Sequence, residues 1–444
     1  MSDSIDINLK ALLAREVKGF LNLSSCQKLT AGASQETYRI RIETERGQEQ
    51  VALRRSVPTL LADSSLGVIG PAVEAKLFQL AAAADIPEPE VLYVLQDTDN
   101  LGQGFLMQWL DGETLGHHIV RHSDFAALRP KLAYQCGETL ARIHNLDIRS
   151  PDLQRVLPVV APRELIQATW EYYRDLNIPL PMIDYTWRWL LDNMPEASRT
   201  TLVHGDFRNG NLMVTPVGIN AVLDWELAHI GDPVRDLGWL CVNSWRFGNS
   251  ELPVGGFGEI DDLLAGYQSV SGVEVSREQL QFWQVFGSFW WAVTCLRMAQ
   301  SWRTGETPSL ERPVIGRRSS EAQMDCVNLL VPGPLDCNDS KIPLSAGTQL
   351  PMPAELLESV ALFLREELPA QLNAETGFLA RVASNSLGIV QREIVYGPSL
   401  ASNEHGRLTT LLNRGGEIDD LRRELVSKLR STMDLQQVGL AEHL

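Results

Sequence analysis

The chain has 444 residues, 44% of them hydrophobic, and a formal net charge of −17 at pH 7, so it is long enough for more than one domain and too acidic for non-specific nucleic-acid binding. It has no uninterrupted apolar run that would span a bilayer, no basic-then-apolar signal at its acidic start Met1-Ser2-Asp3-Ser4-Ile5-Asp6, and no close metal-ligand pair among Cys26, Cys136, Cys241, Cys295, Cys326 and Cys337. The expectation is a cytoplasmic protein with reduced cysteines and neither nucleic-acid nor membrane partners; its acidity would suit a cationic small molecule, and a homo-oligomer is left open.

In chain order, Leu29 to Ile42 reads as a turn of small residues, Gly32-Ala33-Ser34, followed by an alternating strand. A simple hairpin explains it equally well. Gln50-Val51-Ala52-Leu53-Arg54-Arg55 is the next strand, with Arg54 and Arg55 on opposite faces. Gly70-Pro71 opens a helix with Glu74 in its first turn, where the helix dipole favours an acid even without a partner. Gly104 to Leu110 is an apolar strand closed by Asp111-Gly112. Leu128 to Asn145 has helical spacing, and its His144 reads as a packed structural histidine.

The run from Leu202 to Val214 holds Asp206 and, five residues on, Asn211 between two apolar strand-like segments. A second acid follows in Val222-Leu223-Asp224-Trp225-Glu226. That is the layout of kinase-type phosphoryl transfer: one aspartate orients an attacking hydroxyl, while an asparagine and a second aspartate hold magnesium on nucleotide phosphates. Gly205 and Gly210 permit the tight loop, and Pro216 and Gly218 mark the turn of a hairpin that would bring Asp224 close to Asn211. An isolated His-Gly-Asp is more often a solvated turn with a capping acid; Asn211 and Asp224 in register favour the functional reading. A kinase also needs a basic strand residue on the phosphates and an acidic helix partner, and Arg54 with Glu74 are the candidates. Arginine keeps the charge a lysine would supply there and forks onto phosphate oxygens.

His204-Gly205-Asp206 with Asn211, Leu223-Asp224-Trp225-Glu226 and Gly231-Asp232-Pro233-Val234-Arg235-Asp236-Leu237-Gly238-Trp239 together resemble the aminoglycoside phosphotransferase and choline kinase superfamily. The form of these motifs is most similar to a branch associated with acyl-CoA metabolism. The resemblance implies an α+β, bilobal protein-kinase-like fold, with a small antiparallel-sheet lobe, a mainly helical large lobe and a C-terminal all-α domain. It implies ATP and Mg2+ as cofactors, Asp206 and Arg208 as catalytic residues, and Asn211 and Asp224 as metal ligands. Ser34, Arg54, Glu74, Gln108 and Trp109 become the nucleotide contacts, the last two at the hinge between lobes. Asp236 braces the catalytic loop, and Glu226 is either a metal neighbour or a substrate contact. The branch implies a hydroxyacyl-CoA acceptor of the 4-hydroxyacyl type. The turn at Gly32 departs from protein kinases in having a single glycine.

Further on, Gln281 to Met298 reads as a buried helix rich in Trp and Phe that could also line an acceptor pocket. Arg297, Arg303, Arg312, Arg317 and Arg318 face only Glu306 and Glu311 over the same stretch, a basic island in an acidic chain. Arg303, Arg317 and Arg318 are candidate substrate contacts for CoA phosphates, or else members of a solvated helix end. Proline and glycine punctuate a linker over 332–353. Helices follow at Ala354–Leu368, Phe378–Tyr396, Leu408–Leu412 and Ile418–Leu429, similar to a small helical domain of uncharacterised activity that accompanies kinases of this branch. Arg381, Asn385 and Arg392 on its second helix fit either a ligand site or an ordinary surface. The expected organisation is a small lobe over 1–110, a large lobe over 111–331, the linker, and the accessory domain over 354–444. Two rivals to the hydroxyacyl-CoA kinase are an aminoglycoside or macrolide phosphotransferase and a nucleotide-binding pseudokinase scaffold.

Overall fold

A computed structural model describes residues 2–29, 35–56, 68–149, 151–196, 199–306, 309–331, 333, 351–431 and 433–444. The expected linker lies almost wholly outside the described residues. Strands and helices run in the order α1 (Ser2–Glu16), β1 (Phe20–Lys28), β2 (Gln35–Thr44), β3 (Gly47–Ser56), α2 (Pro71–Ala83), β4 (Val91–Val94), β5 (Gly104–Gln108), α3 (Gly116–Arg121), α4 (Arg129–His144), α5 (Pro151–Val156), α6 (Pro162–Asp175) and α7 (Pro181–Asp192). They continue with β6 (Thr201–Val203), β7 (Leu212–Thr215), β8 (Gly218–Val222), β9 (His229–Gly231), α8 (Val234–Leu240), α9 (Ile260–Ser271), α10 (Arg277–Arg303), α11 (Glu311–Arg317), α12 (Ser319–Leu330), α13 (Pro353–Leu362), α14 (Ala374–Leu412), α15 (Ile418–Leu429) and α16 (Leu440–His443). The chain forms two compact units, one of Met1–Leu165 with Met194–Gly287, the other of Ile166–Asn193 with Ser288–Leu444.

The first unit is built on a five-stranded antiparallel sheet in the order β1-β2-β3-β5-β4. Strand β2 shows why: Tyr38, Ile40, Ile42 and Thr44 are buried while the residues between them are not, the period of a strand with one face covered. Leu9, Leu12 and Leu13 of α1 pack on that face against Ile40, Ile42 and Leu53. Arg54 and Arg55 leave opposite sides of β3; Arg55 pairs with Glu36 at 2.7 Å and lies over the Tyr38 ring.

In the same unit α4 packs along α9 at glycine contacts. A Cβ on Gly137 would lie 2.2 Å from the Leu263 carbonyl oxygen, and one on Gly266 would lie 2.1 Å from that of Tyr134. Two short antiparallel ladders, β6 with β9 and β7 with β8, carry the polar loops between them. Sheet and helices together make the kinase-like fold that the motifs implied.

The second unit is helical. Asp184 of α7 is fully buried and accepts hydrogen bonds from Trp170 Nε1 at 2.9 Å, Tyr173 Oη at 3.0 Å and Arg430 Nε at 2.7 Å. Arg188 Nη1 donates to the Leu429 carbonyl at 2.8 Å, so α15 is tied to α7 twice. The sequence reading broke a helix between Tyr396 and Leu408, but α14 runs unbroken from Ala374 to Leu412 with Pro398 inside it. Proline at that point forfeits one backbone bond. Packing of α14 along α13, α15 and α16 outweighs that loss. No helix among the described residues is long and apolar enough to cross a membrane.

Candidate active site

The loop between β6 and β7 is fixed from below by Asp236 on α8. Its carboxylate accepts from the backbone amides of His204 at 2.7 Å and Gly205 at 2.9 Å, and from His144 Nε2 at 3.1 Å. Burial alone would raise this carboxyl, but the His144 hydrogen bond and the charges of His144, His204 and Arg235 bring it down to about 2. His144 is thus structural, its other ring nitrogen 3.0 Å from the Tyr267 hydroxyl. Arg235 Nη1 closes the loop on the Gly205 carbonyl at 3.0 Å. Gly205 is required here: its φ is +85°, and a Cβ would sit 2.4 Å from the Leu227 carbonyl oxygen.

Asp206 emerges from that support with both oxygens engaged. Oδ1 accepts from Arg208 Nε at 2.9 Å and Trp239 Nε1 at 2.8 Å; Oδ2 accepts from Asn211 Nδ2 at 2.6 Å. The Arg208 guanidinium lies 4.3 Å over the Trp245 ring. Asn209, fully buried, donates to the Trp245 and Gly255 carbonyls at 3.1 and 2.7 Å and locks the outer half of the loop.

The β7–β8 hairpin then performs the juxtaposition its turn residues implied. Leu212 faces Val222, and the Leu223 amide donates to the Asn211 carbonyl at 2.7 Å, so Asp224 is the next residue after Asn211's neighbour. Asp224 is left-handed, φ +68°, which turns its carboxylate out of the strand. There it accepts from Arg54 Nη2, while Arg54 Nε reaches Glu74 at 3.1 Å. Burial would lower the guanidinium's pKa, but the charges of Asp224 and Glu74 raise it overall; burial raises Glu74, and Arg54 opposes that shift. Glu74 also accepts from Gln35 Nε2 and the Trp225 amide, both at 3.2 Å. Gln35 Nε2 reaches Glu226 at 3.3 Å as well, which places Glu226 beside the Glu74 cluster.

Asn211 spends its amide nitrogen on Asp206, which leaves its side-chain carbonyl oxygen able to ligate a cation. Hard oxygens in small number suit magnesium, which keeps several waters. A carboxylate held like that of Asp206 can orient a hydroxyl and accept its proton.

Of the other predicted contacts, Ser34 lies outside the described residues. Gln108 gives its backbone amide to the Glu90 carbonyl at 2.8 Å, and Trp109 gives its indole N–H to Asp111 at 2.9 Å with Arg39 4.5 Å over its ring. Arg303, Arg317 and Arg318 belong to the second unit, where they line one open cleft. Sequence reasoning passed over Gln35, Asn209, Trp245 and Glu88. The Glu88 carboxyl takes a bond from Trp225 Nε1 at 3.2 Å, its second oxygen has no partner among the described residues, and burial raises it well above the usual range. Nothing in the spacing around Glu88 marks it. Asn209 sits inside the motif and was legible as a buried amide between two glycine-flanked turns.

The sequence model of the Phosphotransferase enzyme family matches residues 25–273, and a domain of unknown function (DUF6285) matches residues 370–444. Among curated proteins, acyl-CoA dehydrogenase family member 10 of Mus musculus is 29% identical over 54% of this chain and 22% of its own length. Family member 11 of Gallus gallus is 28% identical over 47% of this chain and 28% of its own. The chain therefore aligns with roughly a quarter of these relatives. A Ralstonia eutropha structure assigned as an aminoglycoside phosphotransferase shares the fold with a TM-score of 0.58 at 21% identity, over 73% of this chain and 97% of that one. Spectinomycin phosphotransferase in complex with ADP and spectinomycin does so with a TM-score of 0.50 at 15% identity, over 72% and 97%.

Proposed function

The chain belongs to the phosphotransferase enzyme family, and on that premise we propose that it transfers the terminal phosphoryl group of ATP to the hydroxyl of a hydroxyacyl-CoA, of the 4-hydroxyacyl type. The observation that carries the phosphoryl-transfer reading is the convergence of Asp206, Asn211, Asp224 and Arg54 within one hydrogen-bonded cluster. In this reading Asp206, held by Arg208 and Trp239, orients the acceptor hydroxyl and takes its proton. Asn211 and Asp224 hold Mg2+, which when bound neutralises charge on the phosphate oxygens. Arg54, positioned by Glu74, contacts the phosphates, and the segment containing Ser34 covers them. Gln108 and Trp109 border the adenine. The lobes, linker and accessory domain follow the boundaries at residues 110, 331 and 353.

The acceptor class rests on the names of the relatives, both acyl-CoA dehydrogenase family members, and on the arginines 303, 317 and 318. The net charge of −17 favours a second reading, a cationic acceptor such as an aminoglycoside. Coupled ADP release with 4-hydroxyacyl-CoA, the free hydroxy acid and an aminoglycoside in parallel separates them. Turnover restricted to the thioester supports the proposal; turnover restricted to the aminoglycoside removes it.

A further inference from the structure

The second unit holds a cleft of about 2910 Å³, open along one side, walled by α11, α12 and the length of α14 and closed at one end by α16. Pockets for drug-sized ligands run to roughly 300–1,000 Å³, so this one fits a long molecule or several groups in series. Its cationic lining is entirely arginine: Arg303, Arg317, Arg318, Arg365, Arg392 and Arg407. Four glutamates also line it, and two of them are already neutralised, Glu393 by Arg317 and Glu321 by Arg318. Arg303, Arg392 and Arg407 are exposed and make no ion pair among the described residues. In a chain of net charge −17, three guanidinium groups without an ion pair line one cleft against two glutamates in the same state, Glu358 and Glu442, and their forks match phosphate oxygens.

Between the serines, asparagines and glutamines of the wall lie uncovered apolar side chains. Leu400 is 62% exposed, Trp302 48%, Met324 45% and Val390 44%. In the lining, His443 is 92% buried, yet its Nδ1 has no hydrogen-bond partner among the described residues. A buried ring nitrogen without a partner is costly unless a ligand supplies one. Burial lowers the His443 pKa to about 4, so at neutral pH the ring is uncharged and offers one donor and one acceptor.

Phosphates, a polar amide-bearing arm and an apolar tail in one long molecule describe a coenzyme A thioester. We infer that the cleft of the second unit is a binding site for a CoA thioester. Its phosphates lie on arginines of the lining, among which Arg392 and Arg407 stand about 22 Å apart along α14, and its tail lies on exposed apolar residues of the same wall. The inference does not depend on the acceptor proposed above: the cleft binds the thioester whether or not that thioester carries the reacting hydroxyl.

The test is calorimetric titration of the full chain, without ATP or magnesium, with octanoyl-CoA, CoA, adenosine 3′,5′-bisphosphate and octanoate. Octanoyl-CoA should bind most tightly, CoA and the bisphosphate more weakly, and octanoate without measurable affinity. Arg392→Glu with Arg407→Glu reverses both unpaired charges that α14 brings to the cleft and should weaken octanoyl-CoA binding at least ~10-fold, while Arg392→Lys with Arg407→Lys retains most of it. Both positions are exposed, and the wild type offers an independent check, since raising salt from about 50 to about 200 mM should weaken octanoyl-CoA binding. Absent binding by the wild type, unchanged binding by the glutamate variant, or octanoate binding as tightly as its thioester overturns the site. Asp206→Asn should bind octanoyl-CoA like the wild type. Octanoyl-CoA bound in the cleft of an enzyme that does not phosphorylate 4-hydroxyacyl-CoA refutes the proposed acceptor and leaves the site standing.

Discussion

The Arg54 guanidinium donates directly to the Asp224 carboxylate, joining the middle of the sheet to the end of the β7–β8 hairpin. The same guanidinium holds Glu74, which is completely buried. One cation therefore compensates two carboxylates, and the carboxylate assigned to magnesium is the one it shares. Lysine keeps the charge but loses the fork that spans both partners. Arg54→Lys should raise the KM for ATP roughly tenfold, the worth of one charge-assisted bond, with kcat reduced less. Initial rates against ATP at saturating magnesium decide it; an unchanged KM would detach Arg54 from the nucleotide.

Asp206 is the proposed base, and Trp239 and Arg208 share its Oδ1. Asp206→Asn should lower kcat at least ~100-fold while leaving the nucleotide Kd near the wild-type value. Trp239→Phe removes one of two donors to the same oxygen and should cost far less, within about tenfold, because Arg208 still aims the carboxylate. If purified Asp206→Asn turned over at the wild-type rate, the base would have to be sought elsewhere.

Asp206, Asn211 and Asp224 were legible because hairpin register and glycine-permitted turns are local: two residues between β7 and β8 fix which residues face each other. Arg54 and Glu74 were legible through strand alternation and a proline-started helix. Gln35, Glu88 and Trp245 were not, because their roles come from chains that meet only in the fold: Gln35 reaches Glu226 across 191 positions, and Trp225 reaches Glu88 across 137. The continuous α14 was missed for the opposite reason. Pro398 is a strong local signal, and tertiary packing overrode it.

Asp236 carries a pH dependence. Its folded-state pKa is depressed to about 2, against about 3.9 for an unfolded aspartate. The stabilisation is therefore complete above the unfolded value and is lost as pH falls through about 2. Nearly two units correspond to on the order of 2 kcal/mol. Asp236→Asn should lose that much at neutral pH, and the gap between it and the wild type should close as pH is lowered from about 5 towards 2. Urea unfolding at several pH values measures the gap; a constant difference across that window would mean that the carboxylate's charge does not matter.

In the second unit the corresponding buried acid is Asp184, and its counter-ion comes from the other end of the sequence. Arg430 donates to both of its oxygens, at 2.7 and 3.2 Å, and lies 5.5 Å over Trp170 and 5.8 Å over Tyr173. Without Arg430 the carboxylate keeps two neutral donors but no positive charge, in a place where no part of its side chain meets water. Breaking a buried pair from one side typically costs ~3–5 kcal/mol, whereas removing both charges together is often nearly neutral. Arg430→Met should therefore destabilise the second unit by about that amount, and Arg430→Met with Asp184→Asn should recover most of it, since the asparagine carbonyl still accepts from Trp170 and its NH2 can donate to the Tyr173 hydroxyl oxygen. The unfolding midpoint of the full chain, compared among the two single variants and the double, reads out the coupling. Additive losses in the double variant would show that Arg430 acts through its packing on the aromatic rings and not through the charge it brings to Asp184.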